Sequence, residues 1–352
     1  MLIETNKSSL NKEILDSNCI LFIQDIDGVC IPLVKDPLTR RLNKEYIFAA
    51  NQLEEEFFVL TCGEHEGVRG VNRIIERTLK STEYPKEKGL YLQGLAACGV
   101  EYQNNKGTIN FEGISKKEIN FLSNVPKMIR PKYELIVKRF FPEFNDSEID
   151  YHAKKSICDT RFSPTINFNS LFELISQDCG KRRKLQENFE KMMYEIINKG
   201  ISQGLTDSFF LHISPNLGIN DGKEIMKMST KSDIGSTDIQ LLLKGAVKDA
   251  GVLCLLNKFV GKRTGRKPFG ENFNFRDVPT STEAKINFCK KYIRANEMPT
   301  IIGVGDTITS HFKKDKNEYL RGGSDRSFLE FIQLLGQEYG IDNRIVYVDS
   351  SS

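Results

Sequence analysis

The sequence predicts an α/β protein: a Rossmann-like parallel sheet flanked by helices and interrupted by a large inserted α+β domain. Three observations carry this. Short apolar, strand-forming runs alternate with helical patterns in the N-terminal third, the same alternation returns from Val247 onward, and long helical patterns dominate the stretch between. Strands alternating with helices imply a parallel sheet with helices on its faces. The expected organisation is therefore a core in two parts, residues 1–110 and 244–352, around an inserted domain at 111–243.

In chain order, Ile20 to Gln24 reads as a strand and is followed at once by Asp25, Asp27 and Gly28. Lys44 to Glu56 reads as a helix, and Phe57 to Leu60 as a strand closed by Thr61. Val68 to Lys80 is a helix and Gly89 to Leu92 a strand. In the insert, Lys117 to Leu122, Lys132 to Phe140 and Arg183 to Asn198 read as helices, with strand-like runs at Phe209 to Ile213 and Asp238 to Leu243. The alternation resumes with a helix at Val247 to Phe259 and a strand at Thr300 to Val304. A helix at Arg326 to Tyr339 and a strand at Arg344 to Val348 complete it.

Composition narrows the function classes. With 352 residues, 39% hydrophobic, 28% charged and a net charge of +3, the chain suits a globular protein with a sizeable core and no strong pull on polyanions. The basic clusters Lys181 to Lys184 and Gly261 to Lys267 lack interleaved aromatics, so they read as solvated faces and not as nucleic-acid contacts. The eight cysteines form no CxxC pair and the four histidines are scattered. That pattern argues against structural zinc and predicts reduced thiols in a cytoplasmic protein. Met1 to Asn18 has no apolar run of the kind that opens a secretory signal. No stretch approaches the ~18 apolar residues of a membrane helix.

The chemistry gathers at strand ends. Side chains two apart on a strand face the same way, so Asp25 and Asp27 can converge on one small site, and Gly28 allows a sharp turn. Asp306 in Gly303-Val-Gly-Asp-Thr307 follows a strand as Asp25 does, so several carboxylates meet at one sheet edge. Acids without histidine favour a hard cation such as Mg²⁺ over zinc, and a hydroxyl and a lysine beside them suit phosphate oxygens. Gly303 to Ile308 lacks the third glycine of a dinucleotide fingerprint. Cys62 near His65 is a weaker candidate for nucleophilic catalysis. Glu64 and His65 read instead as a polar loop that contacts substrate or supports Thr61. His212 alternates with apolar neighbours, which fits a hydrogen-bonded histidine as well as a sugar ligand.

These motifs resemble the haloacid-dehalogenase (HAD) superfamily of phosphatases. Asp25-Ile-Asp27-Gly28 matches its first motif, Val59-Leu-Thr61 its second, and Gly305-Asp306-Thr307 opens its fourth. Lys248, just before a helix, is the candidate for the third, with Lys223 and Lys244 as runners-up. The resemblance implies a nucleophilic Asp25, an acid/base Asp27, and Thr61 and Lys248 as phosphate anchors. It also implies Mg²⁺ held by Asp25, the Asp27 carbonyl and Asp306. The usual second acid after Asp306 is displaced here, and Asp325 is the candidate to supply it from beyond a charged insertion.

Longer blocks, including Gln24 to Cys30, Leu60 to His65 with Arg69-Gly70, Gly89 to Ala97, Ser208 to His212 and Arg321 to Arg326, are similar to the glucosylglycerol-3-phosphate phosphatases. That resemblance implies a sugar-phosphate substrate, a role in compatible-solute synthesis under salt stress, and a glucosylglycerol-phosphate synthase as a candidate partner. Glu64, His65, Arg69 and His212 are then candidate substrate contacts. The alternatives are a HAD phosphatase for sucrose-, trehalose- or mannosylglycerate-phosphate, and a catalytically silent HAD-fold binding protein.

Overall fold

A computed structural model describes residues 19–348, apart from 33, 35–36, 159, 176, 307–308, 314–317 and 323–324. The chain divides into two compact units: Met1–Gly113 with Gly245–Thr307 and Asp325–Ser352, and Ile114–Lys244 with Ile308–Ser324.

The first unit is built, in chain order, from β1 (Ile20–Gln24), α1 (Lys44–Gln52), β2 (Phe57–Leu60), α2 (Val71–Leu79), α3 (Glu83–Lys88), β3 (Gly94–Ala96), β4 (Glu101–Gln103) and β5 (Ile109–Phe111). After the second unit it continues with α4 (Lys248–Thr264), α5 (Thr282–Tyr292), β6 (Thr300–Gly305), α6 (Arg326–Tyr339) and β7 (Arg344–Tyr347). Its seven strands lie in the order β7-β6-β1-β2-β3-β4-β5. The first five run parallel, and β4 and β5 add on antiparallel. Strands buried on both faces read as continuous apolar runs, as Ile20–Gln24 and Phe57–Leu60 do. On one face Phe22 packs into a cluster of Ile47, Val59, Ile74 and Ile75 from α1, β2 and α2. The helix α6 contributes Phe328, Leu329, Phe331, Ile332 and Leu335, all fully or almost fully buried.

The strand expected at Gly89 to Leu92 begins later, at Gly94. Leu90 and Tyr91 donate their amides to the carbonyls of Pro85 and Asn105, so pairing with β2 starts only at Val59↔Gly94. The helix expected from Lys44 to Glu56 ends at Gln52 and continues as a separate 3-10 turn.

In the second unit, the two short helices expected between Lys117 and Phe140 are one helix of 25 residues, Lys116–Phe140, that carries Pro126 and Pro131 inside it. Each proline removes a backbone donor and strains the preceding turn, which normally breaks a helix. Here a Ser115–Glu118 capping box starts the helix, and Phe121, Leu122, Val125, Ile129, Tyr133 and Val137 bury one continuous face across both prolines. Tyr133 stacks on Phe189 of the second long helix, Cys179–Ser202, at 5.7 Å between ring centroids. Beside these helices runs a four-stranded antiparallel sheet, with Asp238–Leu243 between Thr165–Asn167 and Phe209–Ser214. The hairpin of Thr309–Lys313 and Glu318–Gly322 also belongs to this unit, whereas the sequence placed all of 244–352 in the core. Among the described residues its strands pair with each other, and they pack beside Asn216–Asn220. Among the described residues, no helix is long and apolar enough to cross a membrane.

Candidate active site

The first unit brings Asp25, Lys248, Asp306 and Asp325 together at the carboxyl end of its parallel strands. Asp25 follows β1 and still donates its amide to Val304 of β6. Asp306 follows β6, and Asp325 precedes α6. Lys248 opens α4, whose Gly251 lies so close to β2 that a Cβ there would stand 2.5 Å from Leu60. That close approach sets the first turn of α4 against the strand ends. All four polar side chains are buried, with Asp325 at 0% exposure. Lys248 Nζ lies 2.8 Å from Asp25 Oδ2 and 2.5 Å from Asp325 Oδ1. The second Asp325 oxygen accepts from the Asp306 amide at 2.8 Å. Asp325 thus fastens Lys248 and the Asp306 loop to each other. Gly28 turns the chain at φ +80°, and Asp306 sits over it so closely that a Cβ would stand 1.9 Å from its Oδ2.

Of the candidate lysines, only Lys248 meets these carboxylates. Lys223 and Lys244 are exposed in the second unit, over the Tyr194 ring and paired with Asp207 respectively.

The charges explain what this cluster can hold. Burial, then the charge of Asp325, push the Asp25 carboxyl well above the usual carboxylate range, against the pull of Lys248. Burial works against the Lys248 charge, but Asp25 and Asp325 outweigh it and hold the ammonium above the ordinary lysine range. Three carboxylates, of Asp25, Asp306 and Asp325, each offer an oxygen within 4.8 Å of the others, and the Lys248 ammonium pairs with Asp25 and Asp325. Asp25 Oδ1 is buried with no hydrogen-bond partner among the described residues. An all-oxygen donor set with a negative surplus and an orphaned carboxylate oxygen fits a hard divalent cation.

Thr61 ends β2 and is 2% exposed. Its Oγ1 accepts from the Gly63 amide at 3.1 Å. The Gly63 Cβ position lies 3.5 Å from that Oγ1 and 3.9 Å from Asp27 Oδ2, so the hydroxyl and this carboxylate flank one glycine.

The next residue departs from expectation. Cys62 and Cys98 form a disulfide, with Cα atoms 4.3 Å apart. The two segments are brought together by hydrogen bonds from Cys98 N to Thr61 O at 3.0 Å and from Ala97 N to Gly63 O at 2.6 Å. Nothing in a 36-residue separation without a CxxC pattern signals this pairing. Cys62 is accordingly no nucleophile here, and the other six cysteines remain thiols. Cross-linking a loop of this length constrains the unfolded chain, so replacing both cysteines by Ser is expected to cost about 2–4 kcal/mol. Urea unfolding with and without a dithiol reductant checks this. Identical curves for the two conditions would mean that the bond does not form in solution.

His65 is not a substrate contact. It is 0% exposed, its Nε2 lies 3.2 Å from Gly94 O, and its Nδ1 lies 3.3 Å from Gln103 Nε2. Burial lowers its pKa to about 4. Both ring nitrogens are used inside the core, so His65 ties the loop after β2 to β3 and β4. Glu64 is also buried, at 6% exposure, and its carbonyl accepts from Val71 N at the start of α2. Arg69 is half-buried in the same loop. His212 lies in the second unit, where its Nδ1 is 2.9 Å from Glu224 Oε1.

One residue of the site had no signal in the sequence. Arg40 Nη1 donates to both Asp27 oxygens, at 2.7 and 3.0 Å, and its Nη2 donates to Arg69 O at 2.6 Å. It stands on an irregular segment with no periodicity that would single it out.

Two comparisons of sequence point to one family. The sequence pattern of the glucosylglycerol-phosphate phosphatases matches residues 19–352. The chain is 41% identical over 337 residues to the glucosylglycerol-phosphate phosphatase of Synechocystis sp., covering 94% of this chain and 79% of that protein. Among solved structures, it is similar to the C-terminal domain of Candida albicans trehalose-6-phosphate phosphatase, with a TM-score of 0.45 and 12% identity over 100% of this chain and 88% of that one. A haloacid dehalogenase-like hydrolase from B. subtilis gives a TM-score of 0.34 and 11% identity, covering 94% of this chain and 96% of that one.

Proposed function

Because this chain belongs to the glucosylglycerol-phosphate phosphatase family, we propose that the site around Asp25 hydrolyses the phosphoester of glucosylglycerol 3-phosphate. The observation that carries the assignment of residues is the buried Asp25 carboxylate, held by Lys248 on one oxygen and, among the described residues, without a partner on the other. Asp25 attacks phosphorus, an Asp25–phosphorus bond forms, and the bond from phosphorus to the glycerol oxygen breaks. Asp27 gives that oxygen its proton. Water then attacks the aspartyl-phosphate, Asp27 takes the water's proton, and inorganic phosphate leaves with Asp25 restored. Splitting one difficult displacement into two easier ones is the advantage of the covalent route. Lys248 and Thr61 bind the remaining phosphoryl oxygens, and Asp325 holds Lys248 in place.

Asp25, the Asp27 carbonyl and Asp306, with Asp325 behind them, are the residues that would hold Mg²⁺. When bound it supplies positive charge against the phosphoryl oxygens. Chelation is expected to abolish turnover and added Mg²⁺ to restore it. Independently of activity, Mg²⁺ is expected to raise the melting temperature, because an ion that binds only the folded cluster stabilises it by mass action. Unchanged melting and unchanged turnover under chelation would remove the metal from this reading.

Removing a phosphate converts a charged ester into a neutral polyol. Solutes of that kind are excluded from protein surfaces and tolerated at high concentration, which supports a role in compatible-solute synthesis under salt stress. A charged sugar phosphate does not cross membranes unaided, which supports a cytoplasmic enzyme working beside the synthase that supplies its substrate. The second unit is assigned the selection of the sugar. Phosphate release from glucosylglycerol 3-phosphate, beside sucrose-, trehalose- and glycerol-phosphates, tests the substrate. Preference for another of these would keep the chemistry and overturn the substrate, and release from none would overturn the phosphatase reading.

A further inference from the structure

Arg40 is held with more care than a solvated surface arginine requires. Its guanidinium bridges both oxygens of Asp27 and the Arg69 carbonyl. Its backbone is fixed as well. Arg77 of α2 donates to the carbonyls of Leu38 and Arg40, at 2.7 and 3.3 Å, and Thr78 Oγ1 donates to Leu42 O at 3.2 Å. The segment carrying Arg40 is thus pinned to α2, and the side chain is pinned to the loop that precedes α2. The Arg40 side chain is 15% exposed and that of Asp27 34%. An exposed ion pair contributes little to stability, typically about 0–1 kcal/mol. Six hydrogen bonds that hold the guanidinium and its backbone segment against one particular carboxylate have a different consequence: they fix where that carboxylate points. Among the described residues, Arg40 is the hydrogen-bond donor to the Asp27 side chain, which otherwise lies beside Gly63 and Thr61.

We propose that Arg40 is a positioning residue of the reaction, which aims the Asp27 carboxyl at the bond between phosphorus and the leaving oxygen. The proposal rests on the role given to Asp27 above, and its test separates the two. An alkyl leaving group needs a proton as it departs, whereas p-nitrophenolate does not. A variant with a misaimed Asp27 therefore loses the alkyl ester and keeps the release of nitrophenolate in the first turnover. Misplacing a catalytic group by about 1 Å costs on the order of 10²-fold.

The experiment measures kcat and KM for glucosylglycerol 3-phosphate and the first-turnover release of nitrophenolate from p-nitrophenyl phosphate. It uses the full chain with Mg²⁺ and compares Arg40→Ala, Arg40→Gln, Arg40→Lys and Asp27→Asn. Arg40→Ala is expected to lower kcat for the alkyl ester about 10²-fold with little change in KM, and to leave the nitrophenolate burst within a few-fold. Arg40→Lys, or guanidinium ion added to Arg40→Ala, is expected to restore part of the loss. Arg40→Gln keeps donors at the position without charge and serves if Arg40→Ala does not fold. Equal losses for both substrates in the folded Arg40 variants would show a structural role and overturn the proposal, as would no loss in either. If Asp27→Asn itself spares the alkyl ester, the acid/base role of Asp27 falls, and this proposal with it. If Asp27→Asn shows the leaving-group pattern and the Arg40 variants do not, the proposal alone fails.

Discussion

Asp25→Asn is expected to abolish phosphate release, by a factor on the order of 10⁴–10⁶, while the protein still folds. Asn has the shape of Asp and lacks the charge that attacks phosphorus. The fold should accept it because the substitution removes a charge that is already costly. Asp25 is 5% exposed, and burial together with Asp325 opposes its ionisation. Lys248 keeps Asp325 at 2.5 Å as a partner, so the ammonium is not orphaned by the change. Two measurements check this: steady-state phosphate release, and acid-quenched capture of labelled phosphoprotein, which the unmodified enzyme should give and the variant should not. Turnover retained in the folded variant would remove Asp25 as the nucleophile and favour direct attack by water.

The meeting of Asp25, Lys248, Asp306 and Asp325 was legible because each stands at the end of a regular element. Once strands and helices alternate, parallel topology sends the ends of β1, β2 and β6 to one edge, whatever lies between them in sequence. Asp325, displaced beyond an insertion, is expected from the family resemblance, which asks for a second acid after Asp306, and it stands just before a helix. The residues that escaped act through reach and not through periodicity. Arg40 projects from an irregular segment across to Asp27, a contact that no local pattern encodes.

His65 failed for the complementary reason. A histidine after a strand looks available from the sequence, yet the side chain turns inward to Gly94 and Gln103. Its loop is also held by the buried Glu101, which accepts from the His65 amide at 3.0 Å. The Cys62–Cys98 bond and the helix running through Pro126 and Pro131 belong with it. Both depend on tertiary neighbours, which override the local preferences that composition and propensity report.

Lys248→Met is expected to impair both activity and folding, unlike changes at the other two lysines with competing claims. The ammonium lies between two buried carboxylates, at 2.8 Å from Asp25 and 2.5 Å from Asp325, and is itself 3% exposed. Removing the cation and leaving its partners buried costs about 3–5 kcal/mol. Phosphate release should fall as well, by about 10²–10³-fold, since a donor aimed at the developing charge is gone. The stability loss should depend on pH in a stated direction. The Asp25 carboxyl in the folded protein is raised above its ordinary value of 3.8, so the folded state takes up a proton before the unfolded state does. Stability tied to that group therefore increases as pH falls from the raised value toward 3.8. Without Lys248 the upward push is stronger, so urea unfolding near pH 5 should show a smaller deficit than at pH 7.5. A deficit independent of pH would point to lost packing and not to orphaned charge. Lys244→Met breaks an exposed pair with Asp207, and Lys223→Met a contact over the Tyr194 ring, so each is expected to cost at most about 1 kcal/mol. Burial thus separates the three lysines in this test: a cation enclosed by its partners should take stability and chemistry away together, and an exposed one should take neither.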